Sequence, residues 1–211
     1  MTESESATAG AREDLCRFLA ACYYEPTEDF SEERLFDSMV VAAERIHPDF
    51  AKSARKLGAA FVAQDMQSLL IDYTRLFLGP VQALAMPYGS RWLTGDQKLM
   101  QDSTMAVLEI YEQGGFDVDA DFRDLPDHVA VELEFLYLLI YTQNDAQSCG
   151  KMDDCLAAQL LERRFFGEHL GAWIDPFTEA VKAGAETAFY RELADLTQRF
   201  VQLESNLLAR R

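Results

Sequence analysis

Nothing in this sequence would cradle a phosphate, sharpen a serine or hold a catalytic zinc. It has no glycine-rich phosphate loop, no GxSxG and no HExxH. Those patterns place backbone N–H groups, a nucleophile or paired imidazoles where their chemistry needs them. Histidine is scarce, with three residues at positions 47, 128 and 169. A di-iron bundle needs two Glu-x-x-His pairs on facing helices. Only Glu44-Arg45-Ile46-His47 has that spacing, and it ends at Pro48. Cys16, Cys22, Cys149 and Cys155 have five residues inside each pair, which matches no common zinc or redox motif. They read as reduced thiols in or near helices. Basic charge is short too: 19 Lys and Arg face 36 Asp and Glu, for a formal charge of -17. Such a surface repels nucleic-acid phosphates and anionic lipid headgroups. No apolar run reaches transmembrane length. The opening MTESESATAGARED has neither a basic n-region nor an apolar h-region. The expectation is a cytoplasmic protein with no catalytic residue or metal and no stable membrane insertion.

What is present is helical pattern. Of 211 residues, 49% are hydrophobic, enough for one sizeable core. Residues 1–10 read as a disordered tail, and 11–211 as one helical domain. Leu15, Phe18, Leu19 and Cys22 recur at helical steps, and Ser31 opens a second helix through Leu35, Met39, Ala42 and Ile46. A third runs from Pro48 to Val62, and a fourth from Gln67 to Leu78, stopped by Gly79-Pro80. Val81 to Gly95 reads as an ordered loop, Gln97 to Gln113 as a fifth helix. Pro126 to about Gln143 is apolar nearly all round, as a central buried helix would be. Met152–Phe166 and Thr187–Leu208 complete the helices, with His169–Pro176 as a link. No alternating β-branched run appears. The fold class is therefore all-α: a single-domain bundle of about eight to ten helices around a buried central one.

Two clusters stand out. The first joins Asp72-Tyr73-Thr74-Arg75-Leu76-Phe77-Leu78-Gly79-Pro80 to a loop with Met86, Pro87, Tyr88, Gly89, Ser90, Arg91 and Trp92. Aromatics on such a loop either line an apolar groove or plug the end of the bundle. The second is Asp124-Leu125-Pro126-Asp127-His128, followed by Glu132 and Glu134 inside the apolar helix. Asp124 and Asp127 suit a helix N-terminus. His128 and Glu132 lie one turn apart on one face and can pair, leaving Asp127 exposed at the helix mouth. Carboxylates beside an apolar groove suit a ligand that is both cationic and greasy.

At these residues the chain resembles the TorD/DmsD/NarJ family of redox-enzyme maturation chaperones, from about Arg12 to Leu208. Leu125-Pro126-Asp127-His128 is similar to an E-x-x-P-x-D-H-type signature, with Asp121 or Asp124 in the place of its acid. Tyr73-x-x-Leu76-Phe77-x-Gly79-Pro80, Pro87-Tyr88-x-Ser90 and His169-Leu170-x-x-Trp173 resemble further landmarks in the same order. Gly89 departs from them, standing where relatives often carry an acid. The resemblance implies a non-enzymatic chaperone, with no cofactor of its own, for the apo form of a molybdopterin-containing oxidoreductase. It would bind that enzyme's twin-arginine signal peptide, assist cofactor insertion and delay export. It implies a monomer or a domain-swapped homodimer. The signal-peptide site would comprise Tyr73, Tyr88, Trp92, Leu125, Pro126, Asp127, His128 and Glu132. The alternatives are a NarJ-like assembly chaperone for a membrane-bound reductase subunit without a signal peptide, and a helical adaptor.

Overall fold

The computed structural model describes residues 3–79, 83–93, 102–117 and 124–210. Among them the chain forms eleven α-helices and no strand. They are α1 (Glu3–Cys22), α2 (Asp29–Glu32), α3 (Leu35–Ile46), α4 (Pro48–Val62), α5 (Met66–Tyr73), α6 (Gly89–Leu93), α7 (Asp102–Gln113), α8 (Val129–Ser148), α9 (Met152–Glu168), α10 (Leu170–Gly184) and α11 (Ala188–Arg210). The centre is α8, packed between α1 and α9. Its Val129, Ala130, Leu133, Phe135, Leu136, Leu139 and Ile140 are all at most 2% exposed. That burial is what its apolar composition requires. Around it, α3 packs on α1 and α4, and α11 on α10 and α4.

Local chemistry explains most boundaries. His47 caps α4 by accepting from Asp49 N–H at 3.2 Å, and Pro48 sits in the tolerated first turn. Asp65 caps α5 through Ser68 N–H at 2.8 Å. The helix expected to open at Ser31 is instead two, because Arg34 adopts a left-handed φ of 54° between α2 and α3. The fourth helix widens at its end into a π-turn, Thr74–Leu78, closed by Gly79 N–H on Thr74 C=O at 2.6 Å. Gly79 takes φ 59° there, a conformation open to glycine. Pro80, Val81, Gly95, Gln97 and Asp121 lie outside the described residues.

Three sequence expectations change. Residues 3–10, read as a disordered tail, are the first turns of α1. Thr8 Oγ1 donates to Arg45 C=O at 3.3 Å, which docks those turns on the end of α3. The stretch from Val81 to Gly95, read as a loop, contains the short helix α6. Of His169–Pro176, read as a link, His169 alone separates α9 from α10, and Leu170–Pro176 is the first half of α10, which continues through Pro176. Leu170, Trp173, Ile174, Phe177 and Val181 are each fully buried along one face. Burial of five large side chains, each worth about 1.5–3 kcal/mol, outweighs the ~3 kcal/mol that an interior proline costs.

Candidate functional site

The mouth of α8 is assembled by the loop that leads into α6. Val129 N–H donates to Pro87 C=O, and Gly89 N–H to Asp127 C=O, both at 2.8 Å. These bonds hold Tyr88 beside His128 in an isolated antiparallel bridge. Asp127 is 1% exposed, and its Oδ2 accepts from Ser90 N–H at 2.8 Å. It therefore ties α6 to α8 and is not exposed at the helix mouth as its position suggested. His128 is the N-cap of α8, its Nδ1 accepting from Ala130 N–H at 3.1 Å. Its ring stacks on Tyr24 at 6.0 Å and meets Tyr88 edge-on at 5.5 Å. Burial pulls the His128 pKa down, against the opposing pull of Asp124 and Asp127.

His128 and Glu132 do not pair. Glu132 is fully buried, and its Oε2 accepts from Trp173 Nε1–H at 2.9 Å. Its Oε1 has no hydrogen-bond partner among the described residues. Burial drives its pKa well above the carboxyl range; the Trp173 bond pulls it back and Asp127 pushes it further up. Burial thus favours the neutral form of this acid under the loop. The same contact accounts for Gly89. A Cβ there would stand 2.9 Å from Trp173 Nε1 and 3.0 Å from Glu132 Oε1, so no side chain fits while the pair is in place.

Trp92 closes its own loop, donating from Nε1 to Met86 C=O at 2.8 Å and meeting the edge of Phe177 at 6.2 Å. Pro126 contributes its carbonyl to Tyr111 Oη–H at 2.8 Å. Asp72, from the first cluster, is 1% exposed and accepts from the N–H groups of Glu186 and Thr187 at 3.0 and 2.7 Å. It anchors the start of α11.

What remains open is a ring of tyrosines and acids around His128. Tyr24 and Tyr88 are half-buried and Leu125 lies partly exposed beside them, while Tyr73, at 8% exposed, is buried beneath, against Phe77 and Tyr190. Tyr24 Oη–H donates to Glu134 Oε1 at 3.0 Å. Tyr88 engages Asp124, whose side chain is 38% exposed and lies 3.9 Å from His128 Nε2. Burial, with Asp124 and Glu25 close by, pushes Tyr73 up to about 12. Burial and neighbouring carboxylates raise Tyr24 and Tyr88 as well. Tyr24, Glu25, Asp124 and Glu134 were not among the expected site residues. The break after Cys22, where Tyr23-Tyr24-Glu25-Pro26 leaves α1, was the available signal. A separate open groove of about 430 Å³, lined by Phe30, Phe36, Val40, Gly58 and Val62, shares no residue with this face. Among the described residues no group of three or more His, Cys, Asp or Glu is placed to hold a metal ion.

Fold and site together define an all-α bundle with an aromatic, acid-rimmed face at the mouth of its central helix. The family model described as nitrate reductase delta subunit matches residues 43–179, which include that helix mouth and Trp173. The chain belongs to that family, in keeping with its TorD/DmsD/NarJ-like motifs. The chaperone protein TorD of Vibrio parahaemolyticus is 30% identical over 141 residues, 66% of this chain and 64% of the relative. That match thus spans just under two thirds of the relative's length. TorD of Aliivibrio fischeri is 28% identical over 179 residues, 84% of this chain and 82% of the relative. A crystal structure from Archaeoglobus fulgidus, named for redox enzyme maturation, shares the fold with a TM-score of 0.54 at 20% identity, over 92% of this chain and 93% of that one.

Proposed function

We propose that this protein is a non-catalytic, cytoplasmic chaperone in redox-enzyme maturation that binds the twin-arginine signal peptide of a molybdopterin oxidoreductase in its apo form. The observation that carries this reading is the tyrosine–acid ring at the mouth of α8. A twin-arginine leader joins two guanidinium groups to an apolar stretch. Asp124, Glu25 and Glu134 supply carboxylates for the first, and guanidinium favours them in bidentate geometry. Tyr24, Tyr88 and Leu125 supply apolar surface for the second, with Tyr73 packed beneath them, and aromatic faces also attract the cation. Asp127 and Glu132, buried and already engaged, serve as supports that hold the loop against α8. The formal charge of -17 speeds encounter with a basic peptide. Apolar contact contributes most of the affinity and the rim charges most of the selectivity.

Calorimetry with a twin-arginine peptide tests this. Tyr88→Ala and the double change Asp124→Asn with Glu25→Gln should each weaken binding by more than about tenfold, roughly 1.4 kcal/mol, with the helical circular dichroism intact. Unchanged affinity in both variants rejects the site. The family's description favours a second reading, assembly of a nitrate-reductase-type subunit that lacks an export signal. Replacing the arginine pair by alanines separates the two: binding that ignores the change supports the second.

A further inference from the structure

Beyond the peptide face, α9 presents an apolar stripe with no packing partner among the described residues. Met152, Leu156 and Leu160 follow at four-residue steps, so they share one side of the helix. They are 65%, 56% and 59% exposed. The opposite side of α9, with Cys155, Ala158, Phe165 and Phe166, is already buried in the bundle. Three large apolar side chains in one row, facing solvent, are more than scattered surface residues.

The charges at the two ends of the stripe say what fits it. Asp153 and Asp154 begin the helix; Arg163 and Arg164 come near its end. Arg163 is exposed and donates to Leu208 C=O at 3.2 Å, with no carboxylate partner among the described residues. Arg164 already bonds Glu168 at 3.1 Å and Gln113 at 3.2 Å, so Arg163 is the available cation. Lys151 caps the same end as Asp153, and Glu168 follows Arg163 in the last turn, but along the stripe itself Asp153 and Arg163 flank the apolar row and are complementary when a second copy is turned end for end. We propose that α9 is a self-pairing surface, on which two copies of this chain meet antiparallel about a two-fold axis at the level of Ala158. That register sets Asp153 of one copy against Arg163 of the other twice over, and Leu156 against Leu160 twice over. The interface is isologous, as two-fold symmetry requires.

One helix face buries less than the about 1,200 Å² of a stable interface, and two chains of formal charge -17 repel. The pairing is therefore weak, reversible and favoured by moderate salt, which screens the long-range repulsion. Sedimentation equilibrium of the full chain, from roughly 10 μM to 1 mM, tests it. Wild type should show a reversible monomer–dimer equilibrium. Asp153→Arg and Arg163→Asp should each raise its dissociation constant at least about tenfold, and an equimolar mixture of the two variants should associate like wild type. Leu156→Glu should leave a helical monomer. A wild type that stays monomeric throughout overturns the proposal. So does a dimer indifferent to all three changes, as one made by exchange of segments would be, or a mixture that fails to recover. A monomer whose Leu156→Glu variant instead loses a client protein would assign the stripe to that client and also overturn self-pairing.

Discussion

Glu132 is a carboxyl group placed where a charge is costly, under Gly89 and against the indole of Trp173. Its pH dependence follows from the sign of its shift. Below the ordinary value of 4.5 both folded and unfolded chains hold the proton. As pH rises from there the unfolded chain ionises first, while the buried group keeps its proton because its pKa is raised. Stability is therefore lost with rising pH, by up to about 1.4 kcal/mol per unit, until the folded value is reached. Glu132→Gln cannot ionise and keeps an oxygen for Trp173. Urea midpoints at a series of pH values between about 5 and 8 should show the variant gaining on wild type as pH rises; a constant difference would mean that Glu132 titrates like an exposed acid. At this scale the sequence locates the helix mouth but misjudges its supports. Asp127, His128 and Glu132 are polar in an apolar setting, which draws attention to them, yet polarity alone does not tell whether a group faces water or a backbone N–H. The partners of Asp127 and Glu132, Ser90 N–H and Trp173, lie 37 and 41 residues away, beyond the reach of any local pattern.

Elements are legible where a boundary is written in neighbouring residues and lost where a distant contact decides. Pro48–Val62 can be read to the residue because His47-Pro48 states its start. The helix α10 escapes such reading because Pro176 signals a stop, while the buried face from Leu170 to Val181 overrides it. The split between α2 and α3 rests on Arg34, a non-glycine residue held at φ 54°. Left-handed backbone costs an L-residue about 1–2 kcal/mol, part of which glycine's greater freedom in the unfolded chain takes back. Its ion pair with Asp37 is exposed on both sides and contributes little. Arg34→Gly should therefore stabilise the protein, raising Tm by about 1–3 °C in a thermal melt. A fall in Tm would show that the Arg34 side chain matters more than its backbone.

At the scale of the molecule, α1 is bound to α8, α9 and α11 through one buried polar network. Arg12 is 6% exposed; its Nε donates to Glu204 Oε1 at 2.8 Å, a second nitrogen bonds Glu204 Oε2, and Glu162 Oε1 lies 3.9 Å away. Glu162 is in turn bonded by Gln143 Nε2–H at 2.8 Å. Cutting one side of such a pair strands the other, at about 3–5 kcal/mol, whereas replacing both by apolar side chains is near neutral. Arg12→Ala should thus be strongly destabilising in urea unfolding, and Arg12→Met combined with Glu204→Met and Glu162→Gln should recover most of the loss. Equal losses in both would mean that the network adds net stability of its own. The contact also joins residues 192 positions apart. A ribosome delivers Arg12 192 residues before Glu204, so the bidentate pair with α11 cannot form until that helix is made. The α1–α3–α8 packing can form earlier, but the buried network is complete only after α11 has emerged, and a nascent chain stalled before that helix should be more open to proteases and holding factors than the finished bundle.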